Sequence, residues 1–526
     1  MNLKSCTIPV NYLRVRLLLL ATSFFISSCN SAQIDERSKL ISVPKYENTV
    51  NSLGFKHTHK DTSWPSTEWW MELNSKELND LVGRALNDNQ ALSKAYHTIT
   101  EAESLVQVAE ARLIPSIGSA VLMTQSRVPY RGTVATYNRT QANLFKTGAF
   151  LTPFIMNWEI DFWEKNRASF EAAIGDVATQ KAELEQARML IVCGLVRAYI
   201  RGSISSKQLQ IAKEITRERL KSKNVNQLRH ETGIDTLDGA AVARANQNQA
   251  ERRELAIDAS ISLQRDLIAR MIGDGPDATL NLFTQINTLS LNKPRIPKKL
   301  PVQLVAQRPD LAAALYRADV WAKRIHVAKT MFLPSLDISI AAGLEDVVTT
   351  TRDMNKLSAW LFNPQAFGFV AVPGLRLPIF QGGRLAGNLD ATRADYDQAV
   401  DSYNETLLQA VQQSADALVA IRRSEAEYSV QRNFVEANYQ QLNLAKIRIN
   451  EGLRDNRELI QERIDILEAK LNLLGLEADR LIAVVDLIQS LGGGFTYSKE
   501  MLVDTPDPES DPITPAVDTI RDITGG

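Results

Sequence analysis

The residues best placed to do chemistry are charged and fall in two short segments. One is ETGID at 231–235 with Asp238 just beyond; the other is GLRDNRELIQER at 452–463, carrying Arg454, Glu458, Gln461 and Glu462. Side chains three or four apart on a helix share a face, so this set can pair with opposite charges or form a charged stripe. It holds no nucleophile beside a base. Nowhere in the 526 residues is there a nucleophile–base set, a phosphate loop or metal-ligand spacing. His57 and His59 in KHTHK are two apart in a polar stretch, and the nine methionines and five histidines are scattered, which does not describe a metal conduit. The expectation is a protein that is not an enzyme and needs no cofactor or metal.

One cysteine has a chemistry of its own. Lys4, Arg14 and Arg16 are the only charges before residue 35, and the apolar run LLLLATSFFI at 17–26 is too short to span a bilayer. Ser27-Ser28-Cys29 follows, which resembles a bacterial lipobox: a signal peptide over 1–28, with Cys29 lipidated as the first mature residue. Asn30, rather than Asp, resembles the pattern of outer-membrane destinations. Cleavage moves the net charge from -1 to -4, so neither form has the basic balance of a nucleic-acid binder. Loss of Cys6 and acylation of Cys29 leave Cys193 alone, without a disulfide partner. Beyond residue 30 no apolar run of 18 or more predicts a membrane-spanning helix.

The elements that position the charged segments occur twice. LIPSIG at 113–118 aligns with FLPSLD at 332–337, Trp158–Arg167 with Leu375–Arg384, ETGID at 231–235 with NEGLR at 450–454, and LIARMIGDG at 267–275 with LIQSLGGG at 487–494. The offsets run from 217 to 219. Repeat 1 is expected over 65–285 and repeat 2 over 286–498, between a lipidated N-terminal segment at 29–64 and a disordered, Pro- and acid-rich tail at 499–526.

Each repeat reads the same way. A helical segment (75–112 or 300–331) ends at a proline. A strand pair follows, expected at about 114–124 and 146–162, then at about 333–343 and 367–380, with polar loops at 125–143 and 344–366. A helical pattern of some 65 residues then runs to Gly233 or Gly452 and returns over about 37. Leu389, Tyr396, Val400, Tyr403, Leu407, Val411, Ala415 and Leu418 form one packing stripe. A 65-residue helix is on the order of 100 Å long, which suggests a wall of helices with shorter segments stacked along the long ones. Trp158 and Trp163 are expected at a strand end, where aromatic girdles occur. Four strands cannot close a barrel, and open edges are forbidden in lipid, so strands in a membrane would require several copies of the chain.

The motifs resemble those of the TolC-like outer-membrane efflux channels (outer membrane factors), in their lipoprotein branch. They are Trp69-Trp70 with Leu78, Leu81, Leu86 and Asn89; Arg308-Pro309-Asp310-Leu311; Phe332-Leu333-Pro334-Ser335; Leu377-Pro378-Ile379-Phe380 with Gly382-Gly383-Arg384; and Leu491-Gly492-Gly493-Gly494, in family order over about 65–495. The resemblance implies a mixed α+β membrane protein. In it, two tandem repeats each supply a long helical hairpin and a two-stranded transmembrane β-hairpin. A homotrimer then forms a 12-stranded β-barrel on an α-helical periplasmic barrel. Its implied partners are a periplasmic adaptor (membrane fusion) protein, an inner-membrane pump and outer-membrane lipid.

The resemblance also assigns roles. The hairpin tips Gly233, Ile234, Gly452 and Leu453 would contact the adaptor and form the periplasmic aperture. Family members often carry carboxylates six and nine residues after the second tip glycine; here these places hold Glu458 and Gln461, with Glu462 adjacent. Arg454 occupies the place of an arginine that ties the closed state to the first repeat, and its expected partner is Asp238, one residue short of the family register, or Asp235. Three copies of Glu458 around a narrow pore would attract cations. The function so implied is a passive conduit for small molecules expelled by the pump. Two alternatives stay open: the exit duct of a type I protein secretion system, and a lipid-anchored periplasmic coiled-coil scaffold without membrane strands.

Overall fold

The computed structural model describes residues 38–42, 44, 65–127, 129–131, 137, 145–284, 289, 307–348 and 364–495. The signal peptide, Cys29, the His57/His59 pair, most of both loops and the tail beyond 495 lie outside the described residues. The elements are α1 (Lys76–Asp88), α2 (Gln90–Glu110), β1 (Ser116–Arg127), β2 (Phe145–Ile160), α3 (Lys165–Glu231), α4 (Leu237–Met271), α5 (Pro309–Thr330), β3 (Ser335–Val348), β4 (Phe367–Arg376), α6 (Arg384–Asn450) and α7 (Asn456–Ser490).

The duplication is visible in the lengths. Helices α3 and α6 each have 67 residues, and α4 and α7 each have 35. The long helices start at Lys165 and Arg384, so the repeat-equivalent of Arg384 is Lys165, not Arg167 as the motif alignment suggests. The residues just before them, Glu164 and Gly383, are equivalent too, and both are left-handed, with φ of 58° and 79°. Glycine adopts this conformation freely; Glu164 does so against its Cβ.

The segment expected as one helix over 75–112 is two. Asn89 breaks it: its extended backbone ends α1, and its Oδ1 accepts from the amides of Ala91 (2.9 Å) and Leu92 (3.2 Å) to cap α2. The expected stacking holds: α3 packs against α2 and α5 as well as α4 and α7, and α6 against α5 and α7. Of the α6 stripe, Leu389, Val400, Tyr403, Leu407 and Leu418 are buried.

The four strands make one antiparallel sheet in the order β1-β2-β3-β4. They begin and end a few residues from the expected bounds. The main difference is β4, which stops at Arg376, so that Leu377–Phe380 belong to the elbow before α6. Register places like with like. Met156, Trp158 and Ile160 oppose Ile340, Ile338 and Leu336, which oppose Ala371, Pro373 and Leu375. The other face carries Asn157 against Ser339, Glu159 against Asp337, and Ser335 against Arg376. Near the helices one face is therefore apolar and the other mainly polar; farther along, the second face also carries Ile155, Val370 and Val372. Both neighbours of β2 lose register at the same place, around Thr152-Pro153. A proline in an inner strand cannot donate to a ladder, and a bulge absorbs it. Gly343 lies opposite: a Cβ there would sit 2.3 Å from the Leu151 carbonyl oxygen.

The largest core lies midway along α3. Trp69, Trp70, Leu73, Leu78 and Leu81 pack on Val192–Ile204 of α3, with Ile261 and Ile268 of α4 and Leu481–Ile488 of α7. Tyr199 is buried there, its hydroxyl 2.8 Å from both Ser75 Oγ and Glu77 Oε2. By length and composition α3 holds a window apolar enough to cross a membrane; 61% of that window is buried inside the protein, as befits a core helix. Two motifs close this region. Arg308, 3% exposed, precedes Pro309 at the start of α5; it clasps Asp310 and donates to the Ser490 carbonyl (2.8 Å) at the end of α7. Gly492, Gly493 and Gly494 all have positive φ, and a Cβ at Gly492 would lie 1.9 Å from the Gln307 carbonyl oxygen.

Gly492→Ala combines a left-handed residue, costing about 1–2 kcal/mol, with a backbone collision. It is expected to lower the melting temperature followed by circular dichroism by roughly 4 °C or more. Gly387→Ala, in α6 with nothing within 4 Å of its Cβ, should leave melting unchanged or raise it. Equal effects of the two substitutions would contradict the packing argument.

Candidate functional site at the hairpin tips

The turns between α3 and α4 and between α6 and α7 are built alike. Gly233 (φ 73°) and Gly452 (φ 70°) end the long helices, and the amides of Ile234 and Leu453 reach back to the carbonyls of Arg229 and Arg448, both at 2.8 Å. This doubly bonded, glycine-terminated closure fixes a tight reversal. It leaves Ile234 63% and Leu453 70% exposed at the apex.

Charges around the turns form two groups. In the first, Arg229 Nε donates to Asp235 Oδ2 at 2.7 Å, and Arg457 reaches the same oxygen at 3.1 Å from the other repeat. Arg457 also meets Asp455 Oδ2 at 2.9 Å, and Asp455 caps α7 through the Arg457 amide (2.8 Å). This group joins the two tips of one chain. The hydrogen bond from Arg229 holds the Asp235 carboxyl below its usual range, with help from Arg457. Burial raises that of Asp455, but its bonds to Arg457 outweigh this and the net shift is downward.

In the second group, Glu458 lies between Arg448 (3.1 Å) and Arg454 (3.4 Å). It is a doubly paired carboxylate. Gln461 donates to Asp465 (2.6 Å) and accepts from Arg219 of α3 (3.4 Å). Glu462 follows on the same face of α7. Partial burial raises its carboxyl, and the charges of Asp465 and Glu458 add to this against Arg448.

The expected link from Arg454 to Asp238 or Asp235 does not form within the chain. Arg454 stands four residues before Glu458 on the same helix start and pairs locally, while Asp235 is occupied by two other arginines. Asp238 is exposed in the first turn of α4 and enters no ion pair among the described residues. The tie between repeats is made instead by Arg457, which motif reasoning missed. A signal was there: at the offset of 219, Asp235 and Asp238 correspond to Arg454 and Arg457. Equivalent positions carry opposite charges.

The sheet thus runs directly into helices of about 100 Å, which end in these charged turns. The chain belongs to the outer membrane efflux protein family, whose model matches residues 81–274 and 300–493. It is 26% identical over 442 residues to the multidrug resistance outer membrane protein MdtP of Escherichia coli K12, covering 82% of this chain and 88% of that one. Among solved structures it resembles the outer membrane protein VceC of Vibrio cholerae, at 26% identity and a TM-score of 0.71, covering 83% of this chain and 100% of that one. The Campylobacter jejuni CmeC outer membrane channel shares the fold at 21% identity, with a TM-score of 0.76 over 88% of this chain and 96% of that one. The protein is an outer-membrane efflux channel.

The tip network has a definite pH dependence. Asp235 and Asp455 have depressed carboxyl values, so their pairing persists above the ordinary value of about 3.9. It is lost only as pH falls through the depressed values. Amide hydrogen exchange at 229–236 and 452–458, corrected for intrinsic rate, should be flat from about pH 5 to 8 and rise below about 4. Asp235→Asn should show the faster exchange already at neutral pH; unchanged exchange in that variant would show that the network does not hold the tips.

Proposed function

We propose that three copies of the chain close a 12-stranded barrel in the outer membrane and continue as a helical tunnel through the periplasm. The tunnel is the passive exit duct of a tripartite pump for small molecules. The observation that carries this is the sheet: four strands with one apolar face, two open edges, and direct continuation into α3 and α6. Lipid would forbid the open edges, and neighbouring copies would pair β4 with β1. The names of relatives such as MdtP, multidrug resistance outer membrane proteins, support drug-like cargo. Energy comes from an inner-membrane pump, coupled through a periplasmic adaptor that seats on Gly233, Ile234, Gly452 and Leu453, where exposed apolar side chains stand at the apices.

We place the gate at the tips. Arg457 and Asp235 hold the two hairpins of one chain together. Arg454 and Asp238, the remaining opposite pair, meet across the seam to the next chain in the closed ring. Glu458, held between two arginines, sets the ionic preference of the aperture with Glu462, and Gln461 fills the place of a second carboxylate. Anchorage at Cys29 fits the N-terminal segment. The Ser38 amide donates to Asp397 Oδ1 (3.1 Å), and Ile41 and Lys39 bond Asn404, which fixes this segment along α6. Asp397 is about 20 Å down the helix from Arg384, and nine residues of extended chain reach about 30 Å, enough to bring Cys29 to the level where the strands end.

Single-channel recording in planar bilayers tests this reading. Arg457→Ala and Arg454→Ala should each increase the open fraction over the wild type. Glu458→Gln, which releases Arg448 and Arg454, should shift selectivity away from cations. Absence of conductance from every variant, despite verified membrane insertion, would refute the channel architecture.

A further inference from the structure

The polar face of the sheet ends on a cavity of about 470 Å³, where β2 passes into α3, α5 into β3, and β4 into α6. Two guanidiniums line it. Arg376 closes β4 opposite Ser335, on the face that also carries Asp337 and Ser339. Arg384 begins α6 and donates to Gln381 Oε1 at 3.1 Å. Neither meets a carboxylate among the described residues. The other charges in the wall are committed. Lys165 and Glu159 form an ion pair. The Asp161 carboxylate accepts from the amides of Asn166 (2.9 Å) and Arg167 (2.7 Å) at the start of α3.

The rest of the wall is mixed: Thr330, Ser335 and Gln381 are polar, and Met331, Leu333 and Leu385 make an apolar patch beside Trp163. The Trp163 indole N–H donates to the Pro334 carbonyl at 2.8 Å, so its polar edge is used and its ring is fixed. Phe162 packs edge-on against it, with centroids 4.7 Å apart. A cavity of this size that sets an apolar patch beside directed polar groups can seat a small amphipathic molecule. Its two cations are free of any carboxylate among the described residues, Arg384 meeting only the neutral Gln381, and guanidinium forks match carboxylate and sulfonate oxygens.

We propose that this elbow cavity binds amphipathic organic anions in transit, the acid group against Arg376 and Arg384 and a flat apolar body against Trp163. Its position facing the channel interior rests on the reading of the polar sheet face as lumen. Both arginines are exposed to solvent, so salt screens the contact and keeps it weak. A conduit requires that, since a site that held its cargo tightly would stop the flow.

Trp163 supplies the readout. Titration of the purified full-length protein with 4-nitrobenzoate, an aromatic carboxylate that quenches indole emission, should give saturable quenching. The neutral 4-nitrobenzamide should give none that saturates over the same range. The double variant Arg376→Gln/Arg384→Gln should raise the half-saturating concentration roughly tenfold, the size of one charge-assisted hydrogen bond. Equal titrations with carboxylate and amide on the wild type, which need no variant to fold, would overturn the proposal. So would an unchanged titration in the double variant, or saturable quenching that survives Trp163→Phe. Conductance measured on the same preparation separates the two readings: a protein that binds the anion but forms no pore keeps the cavity and loses the lumen.

Discussion

A strand edge inside a bilayer has no water to satisfy its N–H and C=O groups, and that constraint organises the whole chain. Four antiparallel strands of 10 to 16 residues present two such edges. One chain cannot hide them, so the sheet is incomplete by itself in a way the helices are not, since their backbone bonds are internal. The alternation of apolar and polar residues in β2 and β3 near the helices is the second half of the same constraint: it would decide which face meets lipid. The bulge at Thr152-Pro153 keeps Leu151 and Phe154 on that apolar face, opposite Leu344 and Ala342, despite the extra residue between them.

Below the sheet the problem changes from satisfying backbone to stiffening a long wall. Ion pairs between α3 and α5, such as Glu171 with Lys323 and Asp176 with Arg324 (each 2.9 Å), are part-exposed and contribute little apiece. The stiffness comes from burial. The core around Tyr199 fastens α1, α4 and α7 to the middle of α3, and the buried Arg308 fastens α5 to the end of α7. The three consecutive glycines at 492–494 let the chain leave α7 where a side chain would strike the backbone of Gln307, at Gly492, or of Ser66, at Gly494.

Much of this was legible in the sequence because it depends on periodicity. Two 67-residue helices, their 35-residue returns and the existence of four strands follow from apolar spacing and from glycine and proline at the joints. Boundaries were less legible. Leu377, Ile379 and Phe380 have strand-like composition, but Pro378 and the left-handed Gly382 and Gly383 turn them into an elbow. Asn89 looks like one more polar residue in a helix until its side chain is seen capping α2. The tip pairing was the least legible part. Family position singled out Arg454, whereas pairing depends on which side chains converge in space, and there Arg457 and Arg448 hold the acidic groups.

The opposite charges at equivalent tip positions have a consequence for assembly. After duplication, two identical hairpins would have been free to pair with themselves. With Asp235 and Asp238 on one and Arg454 and Arg457 on the other, like hairpins repel and unlike ones attract. If three chains close a ring as proposed, that electrostatic grammar would favour a single order of the six hairpins, strict alternation. Such a ring would be three-fold rather than six-fold in charge at its end, so a ring of adaptor subunits would meet two kinds of seat in succession.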